Sequence, residues 1–144
     1  MAELISYLNR TGFGREAFSI SLNSLTSWPP DLNLPSPHFT LLLACDARGI
    51  SDTDIRSFAN LLITQGIAYF CTWGPDCERV HDLMDLVVVQ REEEEGREFP
   101  IMTSWHNDET LDNALWFMLE AACPDEVYAD LPSCCLYRNG ENTH

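Results

Sequence analysis

Phe39-Thr40-Leu41-Leu42-Leu43-Ala44-Cys45 is a continuous apolar run, and the residues after it decide the fold. Such a run suits a strand covered on both faces rather than one with a wet side. Ser51-Asp52-Thr53-Asp54 then forms a capping box that opens a helix. Ile55, Phe58, Ala59 and Leu62 share one face of that helix, and Gly66 stops it. Ile67-Ala68-Tyr69-Phe70-Cys71 reads as the next strand. Pro75 suits the first turn of a second helix, in which Cys77, Val80, Met84 and Val87 line a face. Leu86–Gln90 either ends this helix or starts a strand that pairs with Phe99–Trp105 in a hairpin. The helix is preferred, because it keeps the β-α-β rhythm. Arg91–Glu98 then reads as a solvated turn, and Pro100–Trp105 as a third strand.

Working outward, Glu109–Cys123 is the clearest helix, with Leu111, Leu115, Met118 and Ala122 as its stripe and Pro124 as its stop. Ser133–Arg138 reads as a last strand. Upstream, Phe18, Ile20 and Leu22 alternate with serines, the period of a half-buried strand. Leu4, Ile5 and Leu8 suggest a short helix ended by Gly12 and Gly14, and four prolines make residues 23–38 an extended connection. Strands alternating with helices predict one α/β domain over residues 1–144. Its three layers would hold a mostly parallel sheet of about four to five strands with helices on both faces, Rossmann-like or flavodoxin-like. Residues 1–38 supply the N-terminal strand and connection, 39–138 the repeating core, and 139–144 a disordered tail.

The chain of 144 residues carries 23 acids against eight bases, a net charge of −15. Residues 106–130 contain seven acids and no base, and residues 76–98 nine acids against three arginines. A surface of this sign repels phosphate backbones and anionic lipid, which argues against nucleic-acid or membrane binding. It would attract a basic protein or a hard cation. All eight bases are arginine, which excludes a phosphate-loop lysine, a Schiff-base lysine and a lysine general base. Codon bias would produce the same composition. The N-terminus shows no secretory signal, and no apolar run approaches the roughly 20 residues needed to span a bilayer. A cytoplasmic location follows, with most of the six cysteines as free, core-filling thiols.

One local echo carries the functional reading. Thr72-Trp73-Gly74-Pro75-Asp76 and Ser104-Trp105-His106-Asn107-Asp108 share the form hydroxyl-Trp-x-x-Asp, each where a strand enters a helix. In a parallel sheet these junctions gather at the carboxyl edge, where open α/β sheets bind ligands. The loop Asp46-Ala47-Arg48-Gly49 belongs there too. Two indoles would then flank a polar cleft, with His106 as acid, base or ligand. The competing interpretation is that Asp76 and Asp108 only cap helices. No junction reads G-x-G-x-x-G, and each places carboxylates where a nucleotide phosphate would have to sit.

Cys77 and His81 lie four apart on the second helix, but Cys-x5-Cys-x3-His lacks a zinc knuckle, so no metal is expected. No organic cofactor is expected either. Nothing in the spacing pairs a cysteine with a base, and no G-x-S-x-G elbow is present.

The strings Trp73-Gly74-Pro75-Asp76-Cys77-Glu78 with His81-Asp82, and Trp105-His106-Asn107-Asp108-Glu109 with Ala114-Leu115-Trp116-Phe117, resemble small bacterial proteins of an uncharacterised domain family. The resemblance covers the central half of the chain. It implies a bacterial or phage origin and no activity. From the residues themselves, the expected function is that of an acidic binding protein. This would be an immunity-type or anti-defence inhibitor docked on a basic partner. Trp73, Trp105 and Trp116 would act as anchors, and Asp76, Asp108, Glu109 and Asp112 as steering charges. The alternative is a small hydrolase or nucleotide-processing enzyme acting through His106, Asp108 and Asp46, with or without a divalent metal.

Overall fold

The computed structural model describes the backbone of residues 3–10, 16–34, 36–122 and 133–139, and the side chains within 16–34 and 36–122. Strands β1 (Glu3–Arg10), β2 (Glu16–Leu22), β3 (Phe39–Ala44), β4 (Ile67–Trp73), β5 (Met102–His106) and β6 (Ser133–Asn139) form one sheet in the order β1-β2-β6-β3-β4-β5. β1 runs antiparallel to β2, and every other neighbouring pair is parallel.

Among the described residues the sheet has six strands rather than four or five, and the extra one is β1. Leu4, Ile5 and Leu8 do not form the expected helix; Leu4 pairs with Ile20 and Ser6 with Phe18. A short isolated helix gains little in water, whereas pairing satisfies the free edge of β2. Residues 11–15 and 140–144, including the expected helix stop and most of the expected disordered tail, lie outside the described residues. Asn139, assigned to that tail, instead ends β6.

Successive residues of β3 enter two separate cores. Leu41 and Leu43 pack with Phe18, Ile20, Phe70 and the apolar faces of α1 (Asp52–Gln65) and α2 (Cys77–Glu95). Leu42 and Ala44 pack with Tyr69, Cys71, Ala114, Met118 and Ala122. All six residues of β3 are buried, as a strand covered on both faces requires. Trp28, from the proline-rich connection, meets Phe58 edge to face at 5.3 Å and donates its indole N–H to Gln65 at 2.9 Å.

The helix signals act as expected at α1. The Ser51 hydroxyl accepts from the Asp54 N–H at 3.1 Å, and Gly66 closes the helix at φ 102°. Helix α2 includes 86–90 and continues to Glu95, so Arg91–Glu95 is helical rather than part of a turn. The cause lies at Gly96, which ends the helix at φ 66° with its N–H donated to the Glu92 carbonyl. Arg91 braces this last turn through Glu95 at 2.7 Å.

Helix α3 (Leu111–Trp116) is shorter than expected and passes into one wider turn over Phe117–Ala121, closed by the Ala122 N–H on the Phe117 carbonyl. Its true cap is Thr110, whose hydroxyl accepts from the Asn113 N–H. The wider turn buries Ala114, Met118 and Ala122 and leaves Leu111 and Leu115 partly exposed. Cys123 and Pro124 lie outside the described residues.

Candidate functional site

The carboxyl ends of β3 and β4 are tied together by main-chain bonds from Cys45 N–H to the Trp73 carbonyl and from Ala47 N–H to the Pro75 carbonyl. Arg79, in the first turn of α2, pins both loops. Its guanidinium donates to the Ala47 and Ile50 carbonyls at 2.8 Å, to Asp76 at 2.7 Å and to Asp52. An arginine fork can satisfy several such acceptors at once. Asp46 turns to Arg48, which donates through its main chain at 3.0 Å and its guanidinium at 2.6 Å and 2.9 Å. These bonds, the side-chain ones first, lower the Asp46 carboxyl to about 2.

Beside this tied edge lies a cleft of about 260 Å³ lined by Trp73, Gly74, Pro75, His106, Asn107, Asp108 and Glu109. His106 is buried, its ring 4.7 Å from the Phe117 ring and tilted 56° to it. Its Nδ1 lies 3.1 Å from a Glu109 carboxylate oxygen and its Nε2 3.0 Å from Ser104 Oγ. A carboxylate only accepts, so Nδ1 donates to Glu109 and a neutral ring leaves Nε2 to accept from Ser104. The Trp73 indole N–H donates to the Glu109 carbonyl at 2.8 Å, which fixes the turn carrying that carboxylate.

The structure separates the two indoles that the sequence echo was expected to converge. Trp105 stands opposite Thr72, and Trp73 opposite His106, so the strands are offset by one residue relative to the echo. One residue of offset reverses the face. Trp73 therefore packs on the core containing Leu42 and Ala44. Trp105 points to the other side, where its ring lies 4.5 Å from His81 of α2. His81 Nδ1 donates to Asp82 at 2.9 Å, while its Nε2 stands 3.1 Å from Thr103 Oγ1 and 3.4 Å from Asp85. The Thr103 hydroxyl donates to Asp85 at 2.8 Å.

Asp76 and Asp108 do share a role in the echo, although neither caps through its side chain. Both take the left-handed conformation, at φ 68° and 59°. Asp76 occupies the N-cap position of α2 but gives its carboxylate to Arg79, and Thr110 caps α3 in place of Asp108. Of the proposed enzymatic trio, the cleft joins His106 with Asp108; Asp46 is absent from its lining and is engaged by Arg48. Trp116 and Asp112 are exposed on α3.

Cys45, Cys71 and Cys77 are buried thiols. Burial is the main cause that raises Cys45 to about 12 and also raises Cys77, which makes both poor nucleophiles. Among the described residues, no three histidines, cysteines or acids are grouped to hold a metal ion. Cys134 and Cys135 lie on β6, opposite Thr40 and Leu41 of β3. No helix among the described residues is long and apolar enough to cross a membrane.

Sequence reasoning missed Ser104, Thr103, Asp85 and Arg79. The period-two spacing of Ser104 and His106 on one strand face was a signal for the first. No curated protein and no solved structure matches the chain. A family model matches residues 20–142, from within β2 through the end of β6, and the chain therefore belongs to the family described as a domain of unknown function, DUF7684.

Proposed function

We propose that this chain is an acidic protein-binding module of the inhibitor type, which docks on a basic site of a partner protein in the cytoplasm. Its layers are inferred to follow a three-layer, Rossmann-like plan that holds the binding elements rigid. The observation that carries the reading is Trp105, which is 43% exposed although it is a large indole at a strand end. Its ring rests on His81, and Asp82 and Asp85 lie on the turns of α2 beside it. An exposed aromatic with carboxylates on the adjoining helix has the composition of a binding anchor with steering charges. Trp116, 61% exposed on α3 with Asp112 in the first turn, supplies a second anchor. Trp73, with its N–H committed to Glu109, acts as a packing residue.

The test is association with a panel of cationic protein domains at two ionic strengths. Reversing Asp108, Glu109 and Asp112 to Arg slows association at least about tenfold and flattens its salt dependence. Trp105→Ala speeds dissociation. Unchanged rates in both variants defeat the reading.

A second reading rests on the chain of Ser104 hydroxyl, His106 imidazole and Glu109 carboxylate at 3.0 and 3.1 Å. This is the order of groups that activates a serine for acyl transfer. Under it, turnover of small aryl esters disappears in His106→Ala, whereas partner binding under the first reading hardly changes.

A further inference from the structure

We propose that an extended basic segment of the partner adds to the open side of β5 as a further strand. This rests on the reading of the chain as an acidic binding module, and it names how that module recognises its partner. Among the described residues, β5 is the last strand in the order and is paired with β4 alone, from Tyr69↔Met102 to Trp73↔His106. No described strand lies on its other side, which presents main-chain groups as a template for a further strand.

Protein edges are ordinarily guarded by charged side chains, proline or a bulge. Met102-Thr103-Ser104-Trp105-His106 contains no proline, lysine, arginine or acid, in a chain where 22% of residues are charged. Its pairing with β4 is unbroken by any bulge. At about 3.3 Å per residue, five residues of edge accept a segment of about the same length.

Met102 and Trp105 are 44% and 43% exposed. They sit an odd number of residues apart, so one large apolar side chain borders the edge on each face. An added strand would gain cross-strand contacts on both sides. Charge selects its composition. Asp82 and Asp85 lie on the Trp105 side, Asp108 and Glu109 follow the strand, and no arginine or lysine occurs between residues 98 and 137. A second copy of this chain, itself at −15, meets repulsion at the same edge.

The probe is a peptide alternating arginine and valine, compared with the same peptide methylated at every backbone nitrogen. Charge and side chains are unchanged in the second, but it cannot donate main-chain hydrogen bonds. At low ionic strength the first peptide binds and slows amide exchange within Met102–His106, and the methylated form binds at least about tenfold more weakly. The double variant Met102→Ala/Trp105→Ala, altered only at exposed side chains, also binds the first peptide less tightly. Equal affinity for both peptides, or protection confined to the helices, overturns strand addition while leaving charge-driven docking in place. Self-association through β5 overturns it in favour of a homodimer. If neither peptide binds, the binding-module reading falls as well.

Discussion

Replacing Gly74 with alanine tests the junction that brings the carboxyl ends of β3 and β4 together. Gly74 has φ 118°, a conformation that L side chains rarely adopt. A Cβ built there falls on the Cys45 carbonyl oxygen, which is main chain and cannot swing aside. The conformational cost alone is about 1–3 kcal/mol. Relieving the contact displaces the loop that donates Cys45 N–H to Trp73 and Ala47 N–H to Pro75, at about 1 kcal/mol for each bond. The expected loss is therefore about 3–5 kcal/mol, a large share of the roughly 5–15 kcal/mol that stabilises a domain. Thermal unfolding followed by circular dichroism should move down by roughly 10 °C. Two other glycines calibrate the result. Gly49→Ala meets nothing within 4 Å and should stay within about 0.5 kcal/mol of the parent. Gly96→Ala has open space at φ 66° and should lose about 1 kcal/mol. If Gly74→Ala unfolds within 1 °C or so of Gly49→Ala, the close approach of the two loops is refuted.

Arg79→Ala leaves the Ala47 and Ile50 carbonyls and two carboxylates without their donor, and should cost about 2–3 kcal/mol in urea unfolding. Arg79→Lys should recover little of this, because one ammonium cannot reach acceptors spread across a fork; full recovery would refute the bracing role. The Asp46–Arg48 pair predicts a pH effect of known sign. The Asp46 carboxyl is lowered in the folded chain to about 2, so its contribution is present above the ordinary value near 4 and is lost as pH falls through about 2. Arg48 is largely exposed, so solvent screening keeps that contribution small. A carboxyl-carbon NMR titration should place the Asp46 midpoint near 2, and Asp46→Asn should flatten the acid limb of the stability profile. A midpoint near 4 refutes the pairing.

Local chemistry explains why so much of the central fold was readable. Ser51 and Gly66 bracket α1 through bonds made within a turn, and the apolar run of β3 reports burial on two faces without reference to any partner. Leu4, Ile5 and Leu8 fit one helical turn, but what decides β1 is the edge of β2, where Leu4 meets Ile20 and Ile5 meets Ser19. Helix α3 failed at its ends for a related reason. Thr110 competes locally for the cap, and the wider turn at Phe117–Ala121 lets Ala114, Met118 and Ala122 share the core behind β3 and β4. The site was least readable, since Ser104, His106 and Glu109 meet only after β5 has taken its place beside β4.

The repeated hydroxyl-Trp-x-x-Asp string shows how a correct pattern can point to the wrong geometry. Spacing along the chain is identical at both junctions, yet pairing joins Trp73 to His106 and Trp105 to Thr72. Side-chain direction depends on register against a neighbour, a non-local quantity that a repeat in one chain does not contain. What the repeat preserves is local: an aspartate in the left-handed region at the same distance after each tryptophan. Asp and Asn tolerate that region better than other side chains, so the bend itself accounts for the acid at both places. The carboxylates then do different work, Asp76 on Arg79 and Asp108 at the mouth of the cleft. The offset that prevents an aromatic clamp also puts Trp105 on the α2 side of β5, where it lies against His81 and stays 43% exposed.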